Sequence, residues 1–133
     1  MFRDQPASAV LAVPEFAARG SAGQSAHIVN IVDRRASRPG TDHPIYTLTK
    51  SGLVTLTGIL ARELAPDVQV NAVAPGAILP PPGEDDSYLE RVVRRVPLQR
   101  HGSPRDVAEA VLFLLRSDFI TGETVHVAGG EQL

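Results

Sequence analysis

Short β-branched runs that alternate with helical patterns constrain the fold of this chain more than any other feature of its sequence. Residues 27–32 form the run His-Ile-Val-Asn-Ile-Val, and a second run of this kind occupies residues 68–73. Runs rich in valine and isoleucine are typical of strands buried in a parallel sheet. A third strand is predicted over residues 123–128, near the end of the chain.

Helical patterns separate these runs. The longest begins at Tyr46, places leucines at helical spacing, and ends at Pro66. Ser103 has the character of an N-cap, because Pro104 follows at the first helical position and Asp106 at the third. Shorter helices are predicted over residues 7–19, where Pro14 interrupts the pattern, and over residues 87–95, after a proline-rich loop at residues 78–83. Strands that alternate with helices predict right-handed β-α-β units and an α/β domain with helices on both faces of the sheet.

Composition excludes several classes of partner. The chain has 133 residues, of which 43% are hydrophobic, so that a single domain over residues 1–133 can build a core. A net charge of −2 gives no basic surface for nucleic acid or anionic lipid. No stretch reaches the roughly 18 apolar residues of a membrane span, and the start of the chain lacks a basic, apolar leader. We therefore expect a soluble, cytoplasmic protein that binds a small molecule, with no nucleic-acid or membrane partner.

Three polar residues are candidates for acid–base chemistry. Tyr46 and Lys50 stand four residues apart on one predicted helix and therefore share a face. A nearby ammonium favours phenolate, so that we expect the phenol pKa of Tyr46 to fall from about 10 towards neutral pH. Asp33 follows the first predicted strand, at the edge of the sheet where open α/β folds bind ligands.

Several motifs together resemble the short-chain dehydrogenase/reductase family. Besides the Tyr-x-x-x-Lys of Tyr46 and Lys50, the landmarks are the stretches 70–76, 97–100, 102–108 and 120–122, in the order and spacing of that family. The resemblance implies the C-terminal portion of a Rossmann-type, doubly wound parallel sheet, with about three strands and flanking helices. It also implies that the N-terminal nucleotide-binding half is absent, since Gly20 and Gly23 precede the first strand instead of following one.

Asp33 makes the resemblance specific to one group of reductases within the family. It lies thirteen residues before Tyr46, where most family members carry a serine and pteridine reductases carry an aspartate. The stretches 31–50 and 119–133 are also similar to the dihydromonapterin and dihydrofolate reductases of the short-chain type. The implied activity is NADPH-dependent reduction of a pterin or dihydrofolate C=N bond, with Tyr46 and Asp33 delivering protons.

The resemblance also implies which residues contact the ligands. NADPH contacts would come from Tyr46, Lys50, Pro75, Gly76 and Ile78, and substrate contacts from Asp33, Tyr46 and Leu79. Two departures from the family pattern stand beside them: Gln5 lies nearest to the expected place of a proton-relay asparagine, and Ala128 replaces the aspartate of an Asp-Gly-Gly turn.

Other interpretations of these residues stay open. Tyr46 and Lys50 could be an ordinary helix-start aromatic and a solvated neighbour. Asp33, followed by Arg34 and Arg35, could form a surface turn with local ion pairs. The acids at residues 84–86 suit solvent better than a metal, and the four histidines lack ligand spacing, so that no metal site is predicted.

Three functional hypotheses follow. The chain is a short-chain reductase of a pterin or folate, a short-chain reductase of a carbonyl compound, or a noncatalytic remnant that serves as an interaction module. We expect a strand near Ile28 with an unpaired edge, which favours association. The resemblance implies that the helix over residues 46–64 packs between subunits. The predicted partner is thus a second copy of the chain or a separate N-terminal half.

Overall fold

A computed structural model describes residues 26–133 of the chain. The predicted helix over residues 7–19, the glycine pair Gly20 and Gly23, and Gln5 lie outside the described residues. Strands and helices alternate along the described part. The elements are β1 (Ala26–Ile31), a short 3-10 helix (Arg34–Ala36), α1 (Pro44–Glu63), β2 (Val68–Pro75), α2 (Asp86–Val93), α3 (Pro104–Arg116) and β3 (Thr124–Val127).

The three strands form one parallel sheet in the order β1-β2-β3, which confirms the predicted α/β class. β2 lies in the middle, and its residues 68–74 are all buried. Ile31 pairs with Val73, and Pro75 pairs with Val127, so that the three strands end close to one edge of the sheet. Within residues 26–133, β1 pairs with β2 alone, and its other edge has no strand partner.

Helix α1 packs along the sheet through two apolar clusters. Midway along the helix, Leu53 packs with Val32, the residue after β1, and with Ala72 and Ala74 of β2. Near its end, Ala61 packs with Val68 and Val70 of β2. The helix therefore runs antiparallel to the strands, and this packing holds its first turn over the carboxyl ends of β1 and β2.

Element boundaries differ from the predicted ones by one or two residues. Helix α1 begins at Pro44 instead of Tyr46, because a proline is well tolerated in the first helical turn. Helix α2 begins after Asp85, whose side chain caps it, and ends at Val93 instead of residue 95. Helix α3 begins as predicted: Ser103 and Asp106 form a reciprocal capping box.

In the part of the chain that the structure describes, no helix is both long enough and apolar enough to cross a lipid bilayer.

Candidate active site

Asp33 lies directly beyond the carboxyl end of β1. The residue before it, Val32, is buried and anchors this segment in the core. Asp33 Oδ1 accepts a hydrogen bond from the backbone N–H of Arg35 at 2.7 Å, which caps the 3-10 helix. Its other oxygen, Oδ2, accepts a hydrogen bond from the Tyr46 hydroxyl at 3.2 Å. The structure therefore brings Asp33 and Tyr46 together, as their predicted roles require.

The predicted alternative, a surface turn with local ion pairs, is right about the turn and wrong about the ion pairs. Asp33 caps the 3-10 helix, whereas Arg34 pairs with Glu131 and Arg35 pairs with Asp42. The two oxygens of Asp33 accept hydrogen bonds from a backbone N–H and a phenol.

Tyr46 and Lys50 share one face of the first two turns of α1. Tyr46 is the third residue of the helix, and its side chain keeps partial contact with solvent. The Lys50 ammonium lies 5.7 Å from the centroid of the Tyr46 ring, within the range of a cation–π contact. The same ammonium donates a hydrogen bond to the carbonyl oxygen of Ile31 at 3.0 Å. Lys50 thereby ties the start of α1 to the end of β1.

The predicted fall in the phenol pKa is wrong for this arrangement. Burial, together with the charge and the hydrogen bond of Asp33, raises the pKa of Tyr46 to about 12. The nearby Arg35 guanidinium acts against this rise without cancelling it. The prediction considered Lys50 alone, whereas the hydrogen-bond partner of the phenol is a carboxylate. Tyr46 consequently keeps its proton across the neutral range.

The residues implied to contact the cofactor follow the end of β2, at the same edge of the sheet. Gly76 donates its N–H to the Val127 carbonyl at 3.0 Å. A Cβ atom on Gly76 would lie 2.6 Å from Glu131 Oε2 and 2.8 Å from the Cβ of Ala128, so that only glycine fits without a shift of its neighbours. Pro75 is the last residue of β2.

Ile78 and Leu79 lie farther along this segment. The Ile78 side chain packs against the backbone of Gly102, whereas Leu79 is largely exposed. Both line a cleft beside α2, together with the segment that leads into α3. Their contacts with a cofactor or substrate remain a prediction. Within the described residues, no hydrogen bond joins either of them to Tyr46 or Asp33.

Glu131 is a site residue that the sequence interpretation missed. Its side chain is only 8% exposed, and its Oε1 lies 2.6 Å from Arg34 Nε. Its Oε2 accepts a hydrogen bond from the backbone N–H of Ala77 at 3.1 Å. One buried carboxylate thus joins the segment after β1 to the segment after β2. The contact partners are too distant in sequence to be recognised from spacing.

The acidic run at residues 84–86 has local structural roles. Asp85 caps α2 through the backbone N–H of Ser87, and Glu84 lies 3.0 Å from Arg91. Among residues 26–133, no three histidine, aspartate or glutamate side chains converge in a way that could hold a metal ion.

Asn71 has a structural role. Its amide nitrogen donates to the Ile120 carbonyl at 2.8 Å, and its oxygen accepts from the Glu123 backbone N–H at 3.0 Å. Asn71 therefore holds the loop before β3 against the middle strand.

Comparison with known proteins agrees with this arrangement of elements. A family model described as "Enoyl-(Acyl carrier protein) reductase" matches residues 6–132, which is nearly the whole chain. The chain belongs to the short-chain dehydrogenase/reductase family. The predicted membership and the Rossmann-type origin of the sheet are thereby confirmed.

Individual family members are similar over about half of their own length. The chain is 38% identical to L-xylulose reductase from Bos taurus over 131 residues, which cover 92% of the chain and 54% of the relative. It is 30% identical over 115 residues to dihydromonapterin reductase from Klebsiella pneumoniae, covering 86% of the chain and 48% of the relative.

A solved structure is also similar over about half of its length. FolM alternative dihydrofolate reductase 1 from Brucella canis, complexed with NADP, superposes with a TM-score of 0.87 at 32% identity, covering 92% of this chain and 49% of that one. The short-chain dehydrogenase/reductase described here thus spans about half the length of the relatives it matches.

Proposed function

We propose that this chain is the catalytic half of an NADPH-dependent reductase that acts on the C=N bond of a dihydropterin or dihydrofolate. The observation that carries the proposal is the hydrogen bond from the Tyr46 hydroxyl to Asp33 at the carboxyl edge of the sheet. Similarity to a dihydromonapterin reductase and to an NADP complex of a dihydrofolate reductase supports it.

The protonated state of the Tyr46 phenol suits a reductase. A reductase must deliver a proton to the atom that becomes basic as hydride adds. Tyr46 holds its proton at neutral pH because its pKa lies near 12. Asp33 accepts the phenolic hydrogen bond, so that a proton that its carboxylate takes up from water can replace the one given up by Tyr46.

Asp33 favours a C=N substrate over a ketone. A carboxylate next to the reacting bond repels an oxyanion that develops on a carbonyl oxygen. The same carboxylate can accept hydrogen bonds from the ring N–H groups of a pterin. In the net reaction the C=N π bond would break, the new C–H bond would take the hydride of NADPH, which becomes NADP+, and the new N–H bond would take the proton of the Tyr46 hydroxyl.

The residues present fit the nicotinamide end of the cofactor. Tyr46 and Lys50 offer a hydroxyl and an ammonium side by side, suited to the hydroxyl groups of a ribose. NADPH supplies the hydride when it is bound. The residues of this chain orient the cofactor, and Tyr46 donates the proton.

A carbonyl substrate is the second candidate, and it is favoured by the 38% identity to L-xylulose reductase. The two candidates differ at Asp33, where the resemblance places serine in most family members. An exchange of Asp33 for serine therefore separates them.

The test is complementation. The 133-residue chain is combined with the N-terminal half of a related reductase, and NADPH consumption is followed with a dihydropterin and with L-xylulose. We expect activity on the dihydropterin, a loss of about 100-fold or more in kcat for Tyr46→Phe, and a loss for Asp33→Ser. Thr55→Val removes an exposed hydroxyl from the same helix and serves as the control.

Activity on L-xylulose alone, improved by Asp33→Ser, would replace the pterin proposal with the carbonyl one. A folded complex that neither binds NADPH nor reduces either substrate would favour the noncatalytic module.

A further inference from the structure

A cavity rich in arginine adjoins the candidate active site. It has a volume of about 580 Å³ and lies between the segment that follows β1 and the residues that follow α2. Four arginines line it, namely Arg34, Arg35, Arg38 and Arg95, together with two acids, Asp42 and Glu131. We call it the arginine cavity. Four guanidinium groups against two carboxylates leave an excess of two positive charges at its wall.

The paired and unpaired arginines have different roles. Glu131 neutralises Arg34, and Asp42 neutralises Arg35. Within the described residues neither Arg38 nor Arg95 forms an ion pair, and both are exposed. Two guanidinium groups, one from the segment after β1 and one from the residues after α2, are therefore available to an incoming anion.

Asp33 connects the arginine cavity to Tyr46. Asp33 caps the 3-10 helix that carries Arg34 and Arg35, while it accepts the hydrogen bond from Tyr46. The Arg35 guanidinium is near enough to Tyr46 to oppose the rise of its pKa. Asp33 and the arginine cavity are therefore joined by one short 3-10 helix, so that the tail of a substrate bound at Tyr46 would extend towards the cavity.

We propose that the arginine cavity binds an anionic tail of the substrate, through Arg38 and Arg95. The guanidinium group matches a carboxylate or a phosphate in geometry as well as in charge, since its parallel N–H groups can bind two oxygens at once. The identity of the substrate rests on the proposed function, whereas the anion site rests on the cavity alone. Uncharged pterins would gain nothing from it, and a substrate with a glutamate tail or a phosphate ester would.

The first test measures anion binding by the 133-residue chain itself. Arginine Nε–Hε resonances of the 15N-labelled chain are followed at constant ionic strength during titration with p-aminobenzoylglutamate, which is a dicarboxylate tail without a pterin ring. Pyrophosphate is titrated in a second arm. We expect saturable shifts at Arg38 and Arg95 with at least one of the two probes.

Two double variants control for charge. Arg38→Gln with Arg95→Gln should weaken binding at least tenfold. Arg62→Gln with Arg116→Gln removes the same charge from exposed residues outside the cavity and should leave binding unchanged. Saturation by p-aminobenzoylglutamate identifies a carboxylate tail, and saturation by pyrophosphate alone identifies a phosphate ester.

Absence of saturable shifts with both probes would overturn the proposal, and so would equal weakening in both double variants. Saturable binding in a chain whose complemented form reduces no dihydropterin would leave the anion site standing and refute the pterin reductase. In an active complex, the Arg38 and Arg95 changes should raise KM for dihydrofolate and leave KM for a tail-free dihydropterin unaltered.

Discussion

At the scale of single residues, the two carboxylate oxygens of Asp33 have different partners. One oxygen holds the 3-10 helix, and the other holds the phenol of Tyr46. The family motifs select Asp33, Tyr46 and Lys50 from the sequence. They do not give the direction of the Tyr46 pKa shift, which depends on burial and on the contact made by each oxygen of Asp33.

The first residue-scale prediction concerns the ionisation of Tyr46. The chain has two tyrosines and no tryptophan, so that Tyr88→Phe isolates Tyr46 in an ultraviolet titration. We expect its pKa near 12, and a fall towards 10 in Asp33→Asn, because that change removes the negative charge beside the phenol. Titration near 10 in both proteins would contradict the hydrogen bond.

Linkage gives the sign of the pH dependence. The phenol pKa is about 12 when folded and 10.0 in its ordinary state, so that the folded chain holds the proton more tightly. The stabilisation is complete below pH 10 and is lost as the pH rises from 10 to about 12. Urea unfolding over this interval should therefore show a steeper loss of stability in the unaltered chain than in Tyr46→Phe.

A third residue-scale prediction concerns Gly76. Gly76→Ala should lower the free energy of unfolding by about 1–3 kcal/mol, because the new methyl group overlaps the backbone and side chain of Ala128. The control is Gly52→Ala, in the interior of α1, where a Cβ meets nothing within 4 Å. It should stabilise the chain by about 0.5–1 kcal/mol through the backbone entropy of glycine. Urea denaturation of the three proteins measures both effects, and equal changes would contradict the close packing.

At the scale of elements, local signals located the helices and strands, and tertiary contacts fixed their ends. The β-branched runs and Ser103 with Pro104 mark elements in the sequence because each signal is local. The extension of β2 to Pro75 depends on pairing with β3, which the chain supplies some fifty residues later. Glu131 and the arginine cavity escaped prediction for the same reason, since their members meet only in the folded chain.

The capping box of α3 gives an element-scale prediction. Ser103→Ala removes the acceptor for the Asp106 N–H and the hydroxyl that contacts the Asp106 carboxylate. We expect a loss of about 1 kcal/mol in the free energy of unfolding. Ser103→Thr keeps the hydroxyl and should retain most of the stability in thermal unfolding. An equal loss in both variants would point to packing at this position instead of capping.

At the scale of the whole molecule, two helices carry apolar side chains on faces that the described residues do not cover. On α1 these are Ile45, Leu48 and Ile59, and on α3 and the residues after it they are Leu112, Phe113, Leu115 and Phe119. Surfaces of this kind mark sites of association. The unpaired edge of β1 adds a second opportunity for contact between chains.

Self-association is the prediction at this scale. Sedimentation velocity should show oligomers whose population rises with concentration, and Leu48→Gln with Ile59→Gln should shift the distribution towards monomer. Leu133→Gln changes an equally exposed leucine outside both helices and should have no such effect. A monomer at every concentration would remove the basis for a homo-oligomer.

Asp33 both caps the 3-10 helix and contacts Tyr46, and this limits which side chains can replace it during evolution. The 3-10 helix needs a short side chain with an oxygen that reaches the backbone N–H two residues ahead. Serine, threonine, aspartate and asparagine satisfy that demand, and few other residues do. The backbone thereby favours these four side chains, and one of them is serine, which the resemblance places here in most family members. Aspartate brings a negative charge, asparagine a neutral amide, and serine and threonine a hydroxyl, so that one substitution would change the groups offered to the substrate while the turn is preserved.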